Sequence, residues 1–342
     1  MKKSFNTKFN KILVINLGGI GDVILSTPAL RALREKYPDA SISVLTSPYG
    51  YEVAKYLPYI DEAFILCKNL KILLDLRMKK FDLAINMRTI ASKMGALKMR
   101  LLLGVINPRL TAGRDTDGRG KFLDITIPET LIGKRCEAEY DIDLAAALGA
   151  DAIDRKIDFP IDKDAATKVA GILKDRGISG DDIMIGIHPG GKLLHRWGVE
   201  NFSAVIKALR KEGTYKFVIT GAAAEVELAD KLKAASGPDV INLAGAMNLR
   251  ETAALIKGAR LFISNDTGLI HIAAALKTPL VAIFGPGDLA RFDPRHLSPK
   301  AEVMYKKSDC APCNFVKCSS MKCVKAISPG DVMQASLKLL LH

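Results

Sequence analysis

No stretch of this 342-residue chain is long and apolar enough to cross a bilayer. The basic opening MKKSFNTKFN leads only into a short apolar run ending in Gly-Gly-Ile-Gly-Asp, which excludes a signal peptide. A cytoplasmic protein is expected, touching a membrane no more than peripherally. Acidic residues are outnumbered 37 to 50, and the resulting formal net charge of +13 favours an anionic partner: a nucleotide, a phosphorylated lipid or a membrane surface. Aromatic residues make up only 6% of the chain. No aromatic platform or recognition helix accompanies the positive charge, so nucleic acid is not the expected partner. Nearly half the residues are hydrophobic, which excludes a disordered chain, and the length suggests two domains.

The first glycine turn, Gly18-Gly19-Ile20-Gly21-Asp22, lacks both common phosphate-binding signatures. The pattern G-x-G-x-x-G would need glycine where Ile24 stands, and no Gly-Lys-Ser/Thr follows to make a P-loop. Asp22 would also repel a diphosphate bound at that helix mouth. The turn is therefore expected to present a carboxylate to a neutral hydroxyl, where Asp22 can act as a general base if water is excluded. The plainer role for Asp22 is to cap its own helix. No pair of carboxylates at metal-binding spacing accompanies the motif, and no cofactor is expected.

What is present is alternation of apolar strands and helical runs. KILVINL, SISVLTS, AFILC and FDLAINM read as buried strands, with Arg88 just beyond the fourth. Gly104 to Lys121 reads as a loop-rich basic segment carrying Arg109, Arg114, Arg119 and Lys121. Asp151 to Asp164 reads as a polar connector and Ala165 to Arg176 as a helix. A second series begins at IMIGIHPGG and continues through KFVITG and DVINLAG. Two such series predict an α/β protein of two Rossmann-like, doubly wound domains facing a cleft, with ligand at the strand carboxyl ends. Gly190, His195, Glu225, Met247 and Asp266 all fall there.

Phe262 to Pro286, FISNDTGLIHIAAALKTPLVAIFGP, reads as strand, polar turn, buried helix and strand. The unpaired amides of the helix's first turn suit a phosphate, with Thr267 and Gly268 at its mouth. His271 lies one turn further in and could reach a phosphate oxygen; the bland alternative is a core histidine. Near the end, Cys310, Cys313, Cys318 and Cys323 form C-x2-C-x4-C-x4-C. A structural metal, a redox-sensitive clasp and thiols packed against a loop are all open readings. Cys67 and Cys136 read as buried single thiols.

Three motifs in this order, GGIGDVILSTPALRAL, HPGGKLLHRWGVENFSAVIKAL and SNDTGLIHIAAALKTPLVAIFGPGD, resemble glycosyltransferase family 9, the lipopolysaccharide heptosyltransferases, over nearly the whole chain. The resemblance implies a GT-B architecture with an acceptor domain over 1–165 and a linker over 166–182. A donor domain over 183–327 and a final helix over 328–342, crossing back to the first domain, complete it. It implies metal-independent, inverting transfer of a heptose from ADP-heptose to a phosphorylated, lipid-linked core saccharide, beside the inner membrane. Asp22 matches the family's catalytic base. Asp266, Thr267, Gly268 and His271 match its donor motif, with Gly190, Gly191, Lys192, His195, Arg196, Glu225 and Met247 as further donor contacts. Gly19, Arg88, Arg114 and Arg119 are the acceptor candidates.

The chain departs from the family pattern twice. His195 stands where a lysine is usual, and Gly287 stands where a threonine is usual. Both departures bear on donor identity. A different nucleotide-sugar donor, a nucleotide-dependent oxidoreductase built on the first glycine turn, and a non-enzymatic nucleotide-sugar-binding protein are the alternative readings.

Overall fold

The computed structural model describes residues 8–67, 70–313 and 318–341, and the chain divides into two units, Met1–Phe159 and Pro160–His342. The first is built on β1 (Lys11–Asn16), β2 (Ser41–Thr46), β3 (Glu62–Ile65), β4 (Leu83–Asn86), β5 (Leu110–Thr116) and β6 (Ile125–Glu129). All pair in parallel, in the order β3-β2-β1-β4-β5-β6. The central strand KILVIN is buried in every residue after Lys11, as expected for a β-branched strand with helices on both faces.

The second unit repeats this plan with β7 (Ile183–His188), β8 (Tyr215–Ile219), β9 (Ile241–Asn242), β10 (Leu261–Asn265), β11 (Leu280–Phe284) and β12 (Ala301–Tyr305). Its order, β12-β11-β10-β7-β8-β9, is again fully parallel. Counted from its own first strand, it is the same doubly wound order. Each sheet therefore reverses its winding at one place, between β1 and β4 and between β7 and β10. Ligands of such sheets bind at that switch point, beyond the strand carboxyl ends.

Several expectations are corrected. The stretch from Gly104 to Lys121, expected to be loop-rich, finishes the helix Lys93–Ile106 and then forms β5. Arg114 and Asp115 interrupt the apolar pattern of this strand, which hides its extended character. The stretch 166–182, expected as a linker, lies mostly in the helix Lys163–Asp175. Val169 of that helix packs with Met184, Val218 and Leu255, and Lys168 pairs with Glu251 at 2.7 Å. It is a structural helix of the second unit. The final helix, Pro329–Leu341, docks on the second unit. Val332 and Ala335 enter that unit's core, and Lys338 pairs with Glu302. Cys136 is buried, and burial pushes its thiol up to about 11, but Cys67 is exposed.

Described residues of the four-cysteine segment pack against the loop after β11 and the second unit's core. Cys323 is buried in the second unit's core, Val324 packs on Gly285, and the Cys313 amide donates to the Pro286 carbonyl at 3.0 Å. Among the described residues, no three His, Cys, Asp or Glu side chains stand together as metal ligands would. Among the same residues no helix is long and apolar enough to cross a membrane.

Candidate active site and donor loops

The two strands flanking each switch point end in a buried polar residue: Asn16 and Asn86 in the first unit, His188 and Asn265 in the second. An amide closing an otherwise apolar strand has backbone to organise, and each of these does so.

In the first unit, Asn16 accepts from the Gly18 amide at 3.1 Å and donates to Ser26 Oγ at 2.9 Å. The glycine turn that follows opens the helix Ile20–Leu25, with Asp22 in its first turn. The Asp22 carboxylate folds back to accept from the Gly19 amide at 2.7 Å. A β-carbon on residue 18 would lie 2.4 Å from the Asp22 β-carbon, so glycine there is a steric requirement. The other carboxylate oxygen, Oδ1, is held by Arg88, which enters from the end of β4. The switch point thus brings together Asp22, Gly19 and Arg88, separated by more than sixty positions in sequence. Asp22 does cap its helix; it is also partly exposed, with a cation against it.

Arg114 is not with them, and its assignment to the acceptor is corrected. It is completely buried, and its guanidinium is held by Glu129 (2.9 Å), Glu137 (2.6 Å) and Asp141. One positive charge faces three carboxylates in an interior that penalises ions, so Asp141 is pushed up to about 6, mainly by burial. Ser26 Oγ lies 2.6 Å from an Asp141 carboxylate oxygen and 3.0 Å from the Asp22 carbonyl, two acceptors that share its single hydroxyl proton. Arg114 therefore supports the helix that carries Asp22. Arg119 sits in the turn after β5, bonded to the Thr116 carbonyl and to Asp117.

In the second unit, Asn265 is fully buried and donates to the Pro189 and Gly190 carbonyls at 2.8 and 3.1 Å, while accepting from the Trp197 amide at 3.2 Å. One side chain thereby fixes both ends of the loop after β7. Sequence reasoning missed it; the signal was a polar amide closing the apolar run Leu261–Asn265. Between those ends, the Gly191 amide donates to Glu225 at 2.7 Å and the Gly191 carbonyl accepts from Arg196 Nε at 2.9 Å. Glu225 also accepts from the Ala222 amide at 2.9 Å, so its carboxylate ties two loops. Lys192 is exposed at the start of the short turn Leu193–His195.

Beyond β10, Thr267 caps the helix Gly268–Ala275, and Asp266 accepts from or pairs with His195 Nδ1 at 3.0 Å. The same Asp266 oxygen lies 2.2 Å from where a β-carbon on residue 287 would stand. The two departures from the family pattern, His195 and Gly287, thus meet at one carboxylate. His271 is only 3% exposed, edge-on to Phe292 with ring centres 6.2 Å apart. Met247 is half-buried against the cluster containing Leu243 and Leu255 and joins none of these hydrogen-bond networks.

Two parallel sheets of identical order, each with motif loops at its switch point, define a glycosyltransferase fold of the GT-B class. The chain belongs to glycosyltransferase family 9, the heptosyltransferase family, whose profile matches residues 70–325. It is 30% identical over 287 residues to an Escherichia coli lipopolysaccharide heptosyltransferase 3, covering 78% of this chain and 81% of that one. Among solved structures it resembles the E. coli ADP-heptose lipopolysaccharide heptosyltransferase II at 25% identity and a TM-score of 0.75, over 97% of this chain and 98% of that one. A family 9 glycosyltransferase from Veillonella parvula matches at 24% identity and a TM-score of 0.78, over 98% of both chains. The protein is a glycosyltransferase.

Proposed function

We propose that the enzyme moves a heptose from ADP-heptose to a phosphorylated, lipid-linked core saccharide of lipopolysaccharide, at the cytoplasmic face of the inner membrane. The observation that carries this is the convergence of the motif residues at the switch points: Asp22 with Arg88 in one unit, the Asp266-Thr267-Gly268 helix mouth with the Gly190-Gly191 loop in the other. The names of the similar proteins support heptose and ADP. In the proposed step Asp22 takes the proton of an acceptor hydroxyl as its oxygen bonds to the anomeric carbon from the face opposite the leaving group. The bond from that carbon to the diphosphate oxygen breaks, and its electron pair leaves on the diphosphate. The first-turn amides of the helix Gly268–Ala275 stabilise that charge, together with His195, which pairs with Asp266, and Lys192 and Arg196 of the same loop. Arg88 and Arg119 are the remaining arginine candidates for acceptor phosphates, with Gly19 at the turn.

Calorimetric titration with ADP, UDP, GDP and NAD in parallel tests the donor. ADP is expected to bind tightest, by about tenfold or more, which is about 1.4 kcal/mol. Preference for UDP or GDP would leave a glycosyltransferase with another donor, a second reading that the His195 and Gly287 departures favour. Binding of NAD alone would overturn the proposal.

The His195–Asp266–Gly287 geometry carries its own prediction. Gly287→Thr should turn Asp266 off His195 and weaken ADP binding by about tenfold, whereas combining it with His195→Lys should cost less than the two changes added separately, because residues sharing one partner are coupled. Strict additivity in the calorimetric double-mutant cycle would show that the two departures are independent.

A further inference from the structure

The helix Lys93–Ile106 has two apolar faces. One is in the first unit's core, where Met99, Leu103 and Ile106 pack with Leu76 of the helix Leu70–Met78. The other, on the opposite side, is open: Met94, Leu97, Leu101 and Val105 follow one another at intervals of three and four residues and are 58%, 49%, 61% and 39% exposed. Leu74 and Met78 of the neighbouring helix are exposed as well, and the Arg77 side chain ties the two helices by donating to the Val105 carbonyl at 2.9 Å. A contiguous apolar face of this kind marks an interaction site. Its border is basic: the two helices carry Lys71, Arg77, Lys93, Lys98 and Arg100 against a single acid, Asp75.

We infer that this face docks on an anionic lipid bilayer. An apolar helical stripe bordered by lysine and arginine is the pattern of a helix lying in the membrane interface, where leucine and methionine enter the acyl boundary and the cations meet lipid phosphates. Charge argues against a second copy of the chain as the occupant, because two such faces would bring like charges together. A bilayer-bound enzyme would meet the proposed lipid-linked acceptor in two dimensions, and to that extent the surface rests on that proposal. Vesicle binding is read without donor or acceptor, so failure to bind and failure to transfer are separate results.

The test is co-sedimentation of the full chain with vesicles of phosphatidylcholine alone and of phosphatidylcholine mixed with phosphatidylglycerol. The wild type is expected to bind only the mixed vesicles and to be released by salt. Leu97→Gln with Leu101→Gln, and separately Lys98→Glu with Arg100→Glu, should each lower the partition coefficient by on the order of tenfold or more. Unchanged circular dichroism and urea midpoints establish that both variants fold. Wild-type protein left in the supernatant with the mixed vesicles, or undiminished binding by the leucine variant, would overturn the inference. So would a dimer in sedimentation velocity that the leucine variant dissolves.

Discussion

Asp22→Asn is expected to lower kcat by on the order of a thousandfold, the usual contribution of a positioned general base, while leaving ADP affinity within about twofold of wild type. Asparagine keeps an oxygen for the Gly19 amide, so the turn and the first turn of the helix should survive. What disappears is the carboxylate proposed to take the acceptor's proton. The substitution separates the cap that the structure shows from the proposed role as base, because asparagine and aspartate are comparable as helix-terminal caps. A residue that only capped its helix would tolerate the change with near-normal turnover. The loops proposed to bind the nucleotide are built from residues of the second unit, and this is why donor binding should be insensitive. Steady-state kinetics with saturating donor, together with ADP calorimetry, measures both; a kcat within about tenfold of wild type would remove Asp22 from the mechanism.

Arg114→Leu is expected to destabilise the first unit by roughly 3–5 kcal/mol, a large share of the stability of an ordinary domain. The substitution leaves Glu129, Glu137 and Asp141 buried around a space without positive charge. The loss should be smaller in acid. A carboxyl whose pKa is higher in the folded state than in the unfolded one stabilises the fold at low pH, and that contribution is lost as pH rises through the folded value. Asp141 is already pushed up to about 6 with Arg114 present, and without that cation it should move further up. Urea unfolding at pH 7 and pH 5 should therefore show the gap between variant and wild type narrowing at pH 5. A gap independent of pH would mean that lost packing, and not charge, is responsible.

Much of the fold is local in origin and could be read without coordinates. Runs such as KILVIN, IMIGIH and LVAIF are apolar on both faces, which only a covered parallel strand satisfies. Their alternation with helices dictates two doubly wound sheets. The turns were equally legible: Ile24 removes the dinucleotide signature, Asp22 sits in a helix's first turn, and Asp266-Thr267-Gly268 precedes a helix as cap residues do. These are properties of short segments, and a short segment carries its own conformational preferences in its residue types.

The partnerships were a different matter. An arginine in a basic run looks the same whether it meets solvent or three carboxylates, so only the pairing of β5 with β6 and the packing of the helix Glu137–Ala147 put Arg114 in the interior, as only the pairing of β1 with β4 put Arg88 on Asp22. Asn265 became a hub because parallel pairing of β10 with β7 set its amide beside the Pro189 and Gly190 carbonyls. His195 and Gly287 became one feature because both loops close on Asp266. The sequence by itself determined most of the strands, the helix mouths and the family. Tertiary structure alone decided which charges are buried, which residues share a carboxylate and which leucines face water, because each depends on groups brought together by long-range strand pairing and helix packing.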